Sequence, residues 1–154
     1  MHHELRRKER GMADPEAREL LERGEYGVLS TRGSDGAPYG MPINYCVIDN
    51  AIYFHCAVEG HKLENIAVDD RVSFCVVGTT EVLPDRFTTR YESVIVSGNA
   101  TEVMKEEKQR SLEGLLAKYS AEYRLEGLAY IEANGGRTRV FRIDIDSISG
   151  KARR

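Results

Sequence analysis

The stretch from Tyr26 to Ala57, YGVLSTRGSDGAPYGMPINYCVIDNAIYFHCA, constrains the fold most. Apolar and polar side chains alternate along it, the two-residue period of a strand with one buried face. GSDG and IDNA interrupt the pattern. Their Asp35-Gly36 and Asp49-Asn50 pairs can enter the left-handed conformations that tight hairpins require. The spacing predicts three strands joined by two turns. RVSFCVVG, ESVIVSGNATEV and TRVFRIDIDSIS carry the same grain, with Gly98 placed as a bulge or bend. At least six short strands, mostly hairpin-linked, leave edges to hide. A small closed or nearly closed antiparallel barrel with helices packed outside hides them.

The rest of the chain supplies those helices. At 154 residues there is room for one domain with a real core. Residues 1–13 read as a basic N-terminal arm extended over the surface, and 14–154 as the domain; His2 and His3 are set aside. Asp14-Pro15 predicts an N-cap and first helical position, Ala17, Leu20 and Leu21 a buried stripe, and Gly24 the stop. TTEVLPDRFTTRY reads as a polar excursion broken by Pro84. EEKQRSLEGLLAKYS is an amphipathic helix with Leu112, Leu115, Leu116 and Tyr119 on one face. AEYRLEGLAYIEAN reads as a weaker helix interrupted by Gly127.

Tyr53 to Ile66, YFHCAVEGHKLENI, is the stretch with chemistry in it. Its first part is a strand. Its last part places Leu63 and Ile66 one helical turn apart, with Ala67 on the same face. Gly60 sits at the junction, and His61 and Lys62 open the helix. Cations are misplaced at a helix N-terminus, where the dipole favours negative charge. They become reasonable if an anion binds there, against free N–H groups. The bland reading is a solvated turn with two polar residues. His55 adds a titratable imidazole on the strand leading to this corner, facing opposite to Phe54 and Cys56. On the middle strand, Pro42 removes a ladder donor beside Gly40, which marks an edge or bulge that a flat ligand can approach. A proline guarding an edge against aggregation explains it equally well.

Other chemistries find little support. Net charge is −3, which gives no reason to expect nucleic-acid binding. No apolar run approaches a membrane span, and MHHELRRKERGMADPE lacks the apolar core of a signal peptide. Cys46, Cys56 and Cys75 are an odd number in apolar surroundings, which reads as reduced core thiols of a cytoplasmic protein. His55 and Cys56 are adjacent on a strand and point to opposite faces, and no metal motif accompanies them, so no metal is expected. There is no GxSxG elbow, Walker loop or Rossmann fingerprint.

The segment from Tyr26 through Gly78 resembles the flavin-binding half of the pyridoxamine 5′-phosphate oxidase-like split barrels. FHCAVEGHKLENI and TTRYESVIVSGNATEV are most similar to the nitroimidazole-resistance-related branch. The resemblance implies a dimeric, six-stranded antiparallel split β-barrel, with flavin mononucleotide (FMN) in a groove between subunits. It implies that His61 and Lys62 hold the flavin phosphate. Met41, Pro42, Ile43 and Asn44 match the strand along the isoalloxazine ring, and Phe54, His55 and Cys56 the strand beside the ribityl chain. Glu92 and Ser93 match positions approaching from the next strand across the dimer. His55 matches a histidine implicated at the branch's active site. The sequence reaches SISGKARR soon after the last strand, without the substrate-binding extension of the true oxidases, so vitamin oxidation is not expected. The implied activity is reduction of a small electrophile, such as a nitroaromatic, with electrons from a reduced nicotinamide. The rival is a non-catalytic barrel that binds flavin or haem.

Overall fold

The computed structural model describes residues 3–154; Met1 and His2, part of the expected arm, lie outside the described residues. A helix, α1 (Asp14–Arg23), precedes four strands: β1 (Gly27–Arg32), β2 (Pro38–Ile43), β3 (Cys46–Ile48) and β4 (Ala51–Cys56). Next come α2 (His61–Val68), β5 (Arg71–Leu83), β6 (Thr88–Val103), α3 (Lys105–Tyr119), α4 (Arg124–Asn134) and β7 (Arg139–Arg153). The strands form one antiparallel sheet in the order β2-β1-β5-β6-β7-β4-β3. No helix among the described residues is long and apolar enough to cross a membrane.

The mainly β fold with flanking helices is as expected, but the sheet has seven strands rather than six. The expected middle strand divides at Asn44 and Tyr45. Tyr45 drops its ring wholly into the core, and its hydroxyl donates to the Leu21 carbonyl. The residues before it pair with β1 and those after it with β4, so β2 and β3 form opposite edges of the sheet. The chain therefore crosses the open seam of the barrel at Asn44–Tyr45. Pro38 and Pro42 are tolerated on β2 because it is an edge strand.

The expected turns carry the expected strain: Gly36 has φ 84° and Asp49 φ 55°. The polar excursion at residues 79–91 is instead the tip of a long hairpin. β5 continues to Leu83, a single 3-10 turn over Pro84–Arg86 follows, Phe87 turns left-handed at φ 53°, and β6 begins at once. Threonines and valine suit an exposed two-stranded ribbon as well as a loop, which is why polarity misled there. Gly98 lies where the β6–β7 register shifts, as a bulge should. The arm is not free: Lys8–Arg10 form a 3-10 turn, and the Met12 amide donates to the Gly150 carbonyl at 2.9 Å.

The sheet wraps a core in which Leu29, Phe54, Phe74, Val76, Val94 and Val96 meet, plugged by Leu20 and Leu21 of α1 and Leu63 and Ile66 of α2. Ala67 is exposed, and Asn65 takes the buried place beside them, donating to the Thr31 hydroxyl at 3.0 Å. A second cluster, including Tyr53, Val103, Leu115 and Val140, lies under α3. β4 is thus buried on both faces along its length, except at His55. Gly127 does not interrupt α4; it lets the helix approach Leu116 of α3 where a side chain would collide. Cys46 and Cys56 are buried as expected. Cys75 is half-buried on the outer face, opposite Val28 and Ile95, because its place in β5 alternates with the core residues Phe74 and Val76.

Candidate functional site

The seam decides where a ligand can sit. β2 and β3 have no strand on their outer sides, and beside β2 the opening is reached by His55 of β4. A groove of about 640 Å³ runs there, lined by Glu25, Tyr26, Pro42, Ile43, Asn44 and His55. Further along β2, outside that lining, Tyr39 stacks on His61 of α2, ring centres 3.9 Å apart and planes tilted by 30°. From Tyr39 to Asn44 a strand advances about 16 Å.

The corner at α2 has the predicted form. His61 and Lys62 open the helix, and no side chain caps it. Its first amides therefore point at solvent or at whatever binds. Gly60 enters the helix at φ 153° and ψ 171°, a region reserved for glycine. Nothing lies within 4 Å of where its side chain would be, so the constraint is on the backbone alone. Gly60→Ala is expected to lower stability by on the order of 1–2 kcal/mol. Thermal or denaturant unfolding measures it, and an unchanged midpoint would contradict the assigned conformation.

His55 occupies the other end. Phe54 and Cys56 point into the core, so His55 faces out, on the side of Tyr53 but beyond the cover of α3. Solvent reaches the ring, yet crowding by its surroundings, and then the Lys62 charge, hold its pKa below the ordinary histidine value. It is therefore neutral at pH 7, with one N–H donor and one lone pair. The neutral form is the one the fold favours. This contribution to stability is complete above about pH 6.5 and is lost as pH falls through the lower folded value. An NMR titration should give His55 a midpoint below 6.5, moving up in Lys62→Ala; a midpoint above 6.5 would contradict the arrangement.

Two groups of contacts hold this end in place. Tyr53 donates to the Glu107 carboxylate at 2.7 Å and Arg142 reaches the same group at 2.8 and 3.0 Å, fixing the first turn of α3 on β4 and β7. At the other end of α3, Lys118 donates to the Tyr45 carbonyl at 2.9 Å, and the Tyr119 hydroxyl accepts from the Tyr45 amide at 3.1 Å. That hydroxyl donates to the Glu25 carbonyl at 2.6 Å. The seam residues beside Asn44 are thus clamped by α3. A second, mostly apolar cavity of about 460 Å³ opens between α3 and α4 and shares Asn44 and His55 with the groove.

Of the expected site residues, Pro42, Ile43, Asn44 and His55 meet in the groove, whereas His61 and Lys62 lie outside its lining, at the start of α2. Met41 is half-buried opposite Leu29. Phe54 is wholly buried and stacked on Phe141 at 5.6 Å, and Cys56 is buried too, so only their backbones can face a ligand. Glu92 and Ser93 lie on β6, three strands from β2, with Glu92 paired to Arg23 at 3.0 Å; one subunit does not bring them to His55. Sequence reasoning missed Tyr26, Tyr39 and Glu25. Tyr39 was findable, since it shares a strand face with Met41 and Ile43. The thiols are poor nucleophiles: burial pushes Cys46 up to about 11, and Cys56 and Cys75 in the same direction.

A family model described as pyridoxamine 5′-phosphate oxidase matches residues 13–152. The chain belongs to this family. Solved structures share the oxidase-like fold. A conserved hypothetical protein from Mycobacterium tuberculosis is 23% identical with a TM-score of 0.81, covering 96% of this chain and 90% of that one. A candidate 5-nitroimidazole antibiotic resistance protein from Bacteroides thetaiotaomicron is 17% identical with a TM-score of 0.76, covering 92% and 86%. A FAD and haem binding protein from Mycobacterium smegmatis is 18% identical with a TM-score of 0.74, covering 91% and 71%. At these identities the likeness is one of fold. Comparison with curated protein sequences gives no match.

Proposed function

We propose that this member of the oxidase family is an FMN-binding oxidoreductase that reduces a small electrophile, a nitroaromatic among the candidates, with electrons from a reduced nicotinamide. The observation that carries the reading is the uncapped start of α2, opened by His61 and Lys62, which the Tyr39–His61 stack ties to β2, the strand whose Pro42 and Ile43 line the groove beside His55. In this reading Lys62, His61 and the first helix amides would hold the phosphate, through charge-assisted hydrogen bonds. Pro42, Ile43 and Asn44 would hold the ring, with His55 of β4 beside it. Bound flavin would supply the redox chemistry. The chain's own part is to orient the ring, limit water, and offer the neutral His55 as a hydrogen-bond donor or acceptor beside it.

The functional unit in this reading is a homodimer. Val28, Val77 and Ile95 project from the outer sheet face at 38%, 58% and 50% exposure. Ser30, Ser73 and Ser97 lie in register beside them, and such small side chains let a second sheet approach closely. A partner seated there brings its Glu92 and Ser93 toward the groove. We place the protein in the cytoplasm, where three unpaired thiols stay reduced.

Titrating FMN into the purified protein tests the reading. Saturable binding with a perturbed visible spectrum, followed by bleaching with a reduced nicotinamide and recovery with an acceptor, is the expected result. A protein that ignores FMN refutes it. The second reading, flavin or haem binding without turnover, draws on the accessible neutral imidazole of His55 beside an apolar cavity. It predicts bound flavin that no nicotinamide reduces, or an intense Soret band with haemin that His55→Ala abolishes.

A further inference from the structure

We propose that the cavity between α3 and α4 is a dedicated site for an uncharged, flat aromatic molecule carrying acceptor oxygens, the chemical class of quinones and nitroarenes. This rests on the flavin reading for its role as the electron acceptor's seat, but the site itself stands on the geometry of α4. That helix buries none of its residues, and the apolar stripe that a surface helix normally hides is turned to the cavity. Tyr123, Gly127, Tyr130 and Ile131 make one wall, and Leu112 and Leu116 of α3 make the other. Tyr123, just before α4, and Tyr130 on it keep 63% and 70% of their surface exposed, an uncommon state for two large rings lining one cavity. Gly127 sets the spacing: its backbone rests against Leu116, so the walls are held close without filling the space between them.

The floor selects for the head of the ligand. Asn44 and His55 are both exposed at the point where this cavity meets the groove. The Asn44 amide offers two N–H groups and the neutral imidazole one, which suits carbonyl or nitro oxygens. The one carboxylate on the lining, Glu126, disfavours anions. A volume of about 460 Å³ admits one or two fused rings.

The test uses menadione and its sulfonated analogue with the flavin-free full-length protein, read by calorimetry. One menadione is expected to bind per chain, with the sulfonate bound at least about tenfold more weakly. Ile131→Trp, which fills the cavity, should weaken menadione by about tenfold or more while FMN titrates as in the parent. Should that variant fail to fold, Tyr123→Ala at its exposed position on the same wall takes its place, with a several-fold loss. Absence of menadione binding, equal affinity in the filled variant, or a sulfonate bound as tightly as menadione overturns the proposal. Menadione captured by a protein that ignores FMN refutes the flavin reading and leaves this site standing. FMN bound by a protein that ignores menadione does the reverse.

Discussion

Phe74→Ala should cost the fold about 3–5 kcal/mol, the range for removing a wholly buried aromatic ring. The ring has no exposed surface and meets Tyr45 edge-on, centres 4.8 Å apart at 74°. It also fills the space over Gly27 of β1, where any side chain would strike it. That glycine makes the void hard to heal, because the nearest backbone has no side chain to lean in. Tyr45 is held by its bond to Leu21 and by Lys118 and Tyr119 at its backbone, so it cannot swing into the gap. Denaturant unfolding should show a lower midpoint with an unchanged slope. A loss under about 1 kcal/mol would mean that the barrel collapses around the vacancy, contrary to this packing.

Lys62→Ala should weaken FMN by about 1.5–3 kcal/mol, the worth of one hydrogen bond to a charged group, or roughly ten- to 150-fold in affinity. The loss is expected to shrink as salt rises, because the corner is open to solvent and screening reaches it. The fold should barely notice, since Lys62 makes no ion pair among the described residues. Riboflavin, which lacks the phosphate, supplies the control: parent and variant should bind it equally. Equal FMN affinity in both proteins would remove Lys62 from the site, and an equal loss for riboflavin would assign it to the ring instead.

What the sequence made legible follows from period and turn chemistry. The two-residue alternation at Val28–Arg32, Val72–Val77 and Val94–Val96 located strands, because one face of each meets the core. Gly36 and Asp49 announced hairpins through the backbone conformations they tolerate. The helix-opening His61 and Lys62 were readable because charge placement against a helix dipole is a local rule. What stayed hidden was non-local. Nothing near Asn44 signals that the next residue leaves one sheet edge for the other, since Tyr45 is fixed by Leu21, Lys118 and Tyr119 from elsewhere in the chain. Phe54 and Cys56 point inward, as strand alternation indicated; only the family match had set them beside a ligand. Tyr123 and Tyr130 fell within what read as an ordinary weak helix, because a stripe facing a cavity and a stripe facing a core look alike in sequence.

A helix that leans on one neighbour and contributes nothing to the barrel interior is nearly independent of the folding equilibrium. Substitutions along α4 can therefore accumulate without unfolding the molecule, while every change on its inward side alters what the adjoining chamber admits. Related chains could diverge in their choice of guest by rewriting a single turn or two of this segment and leaving the sheet untouched.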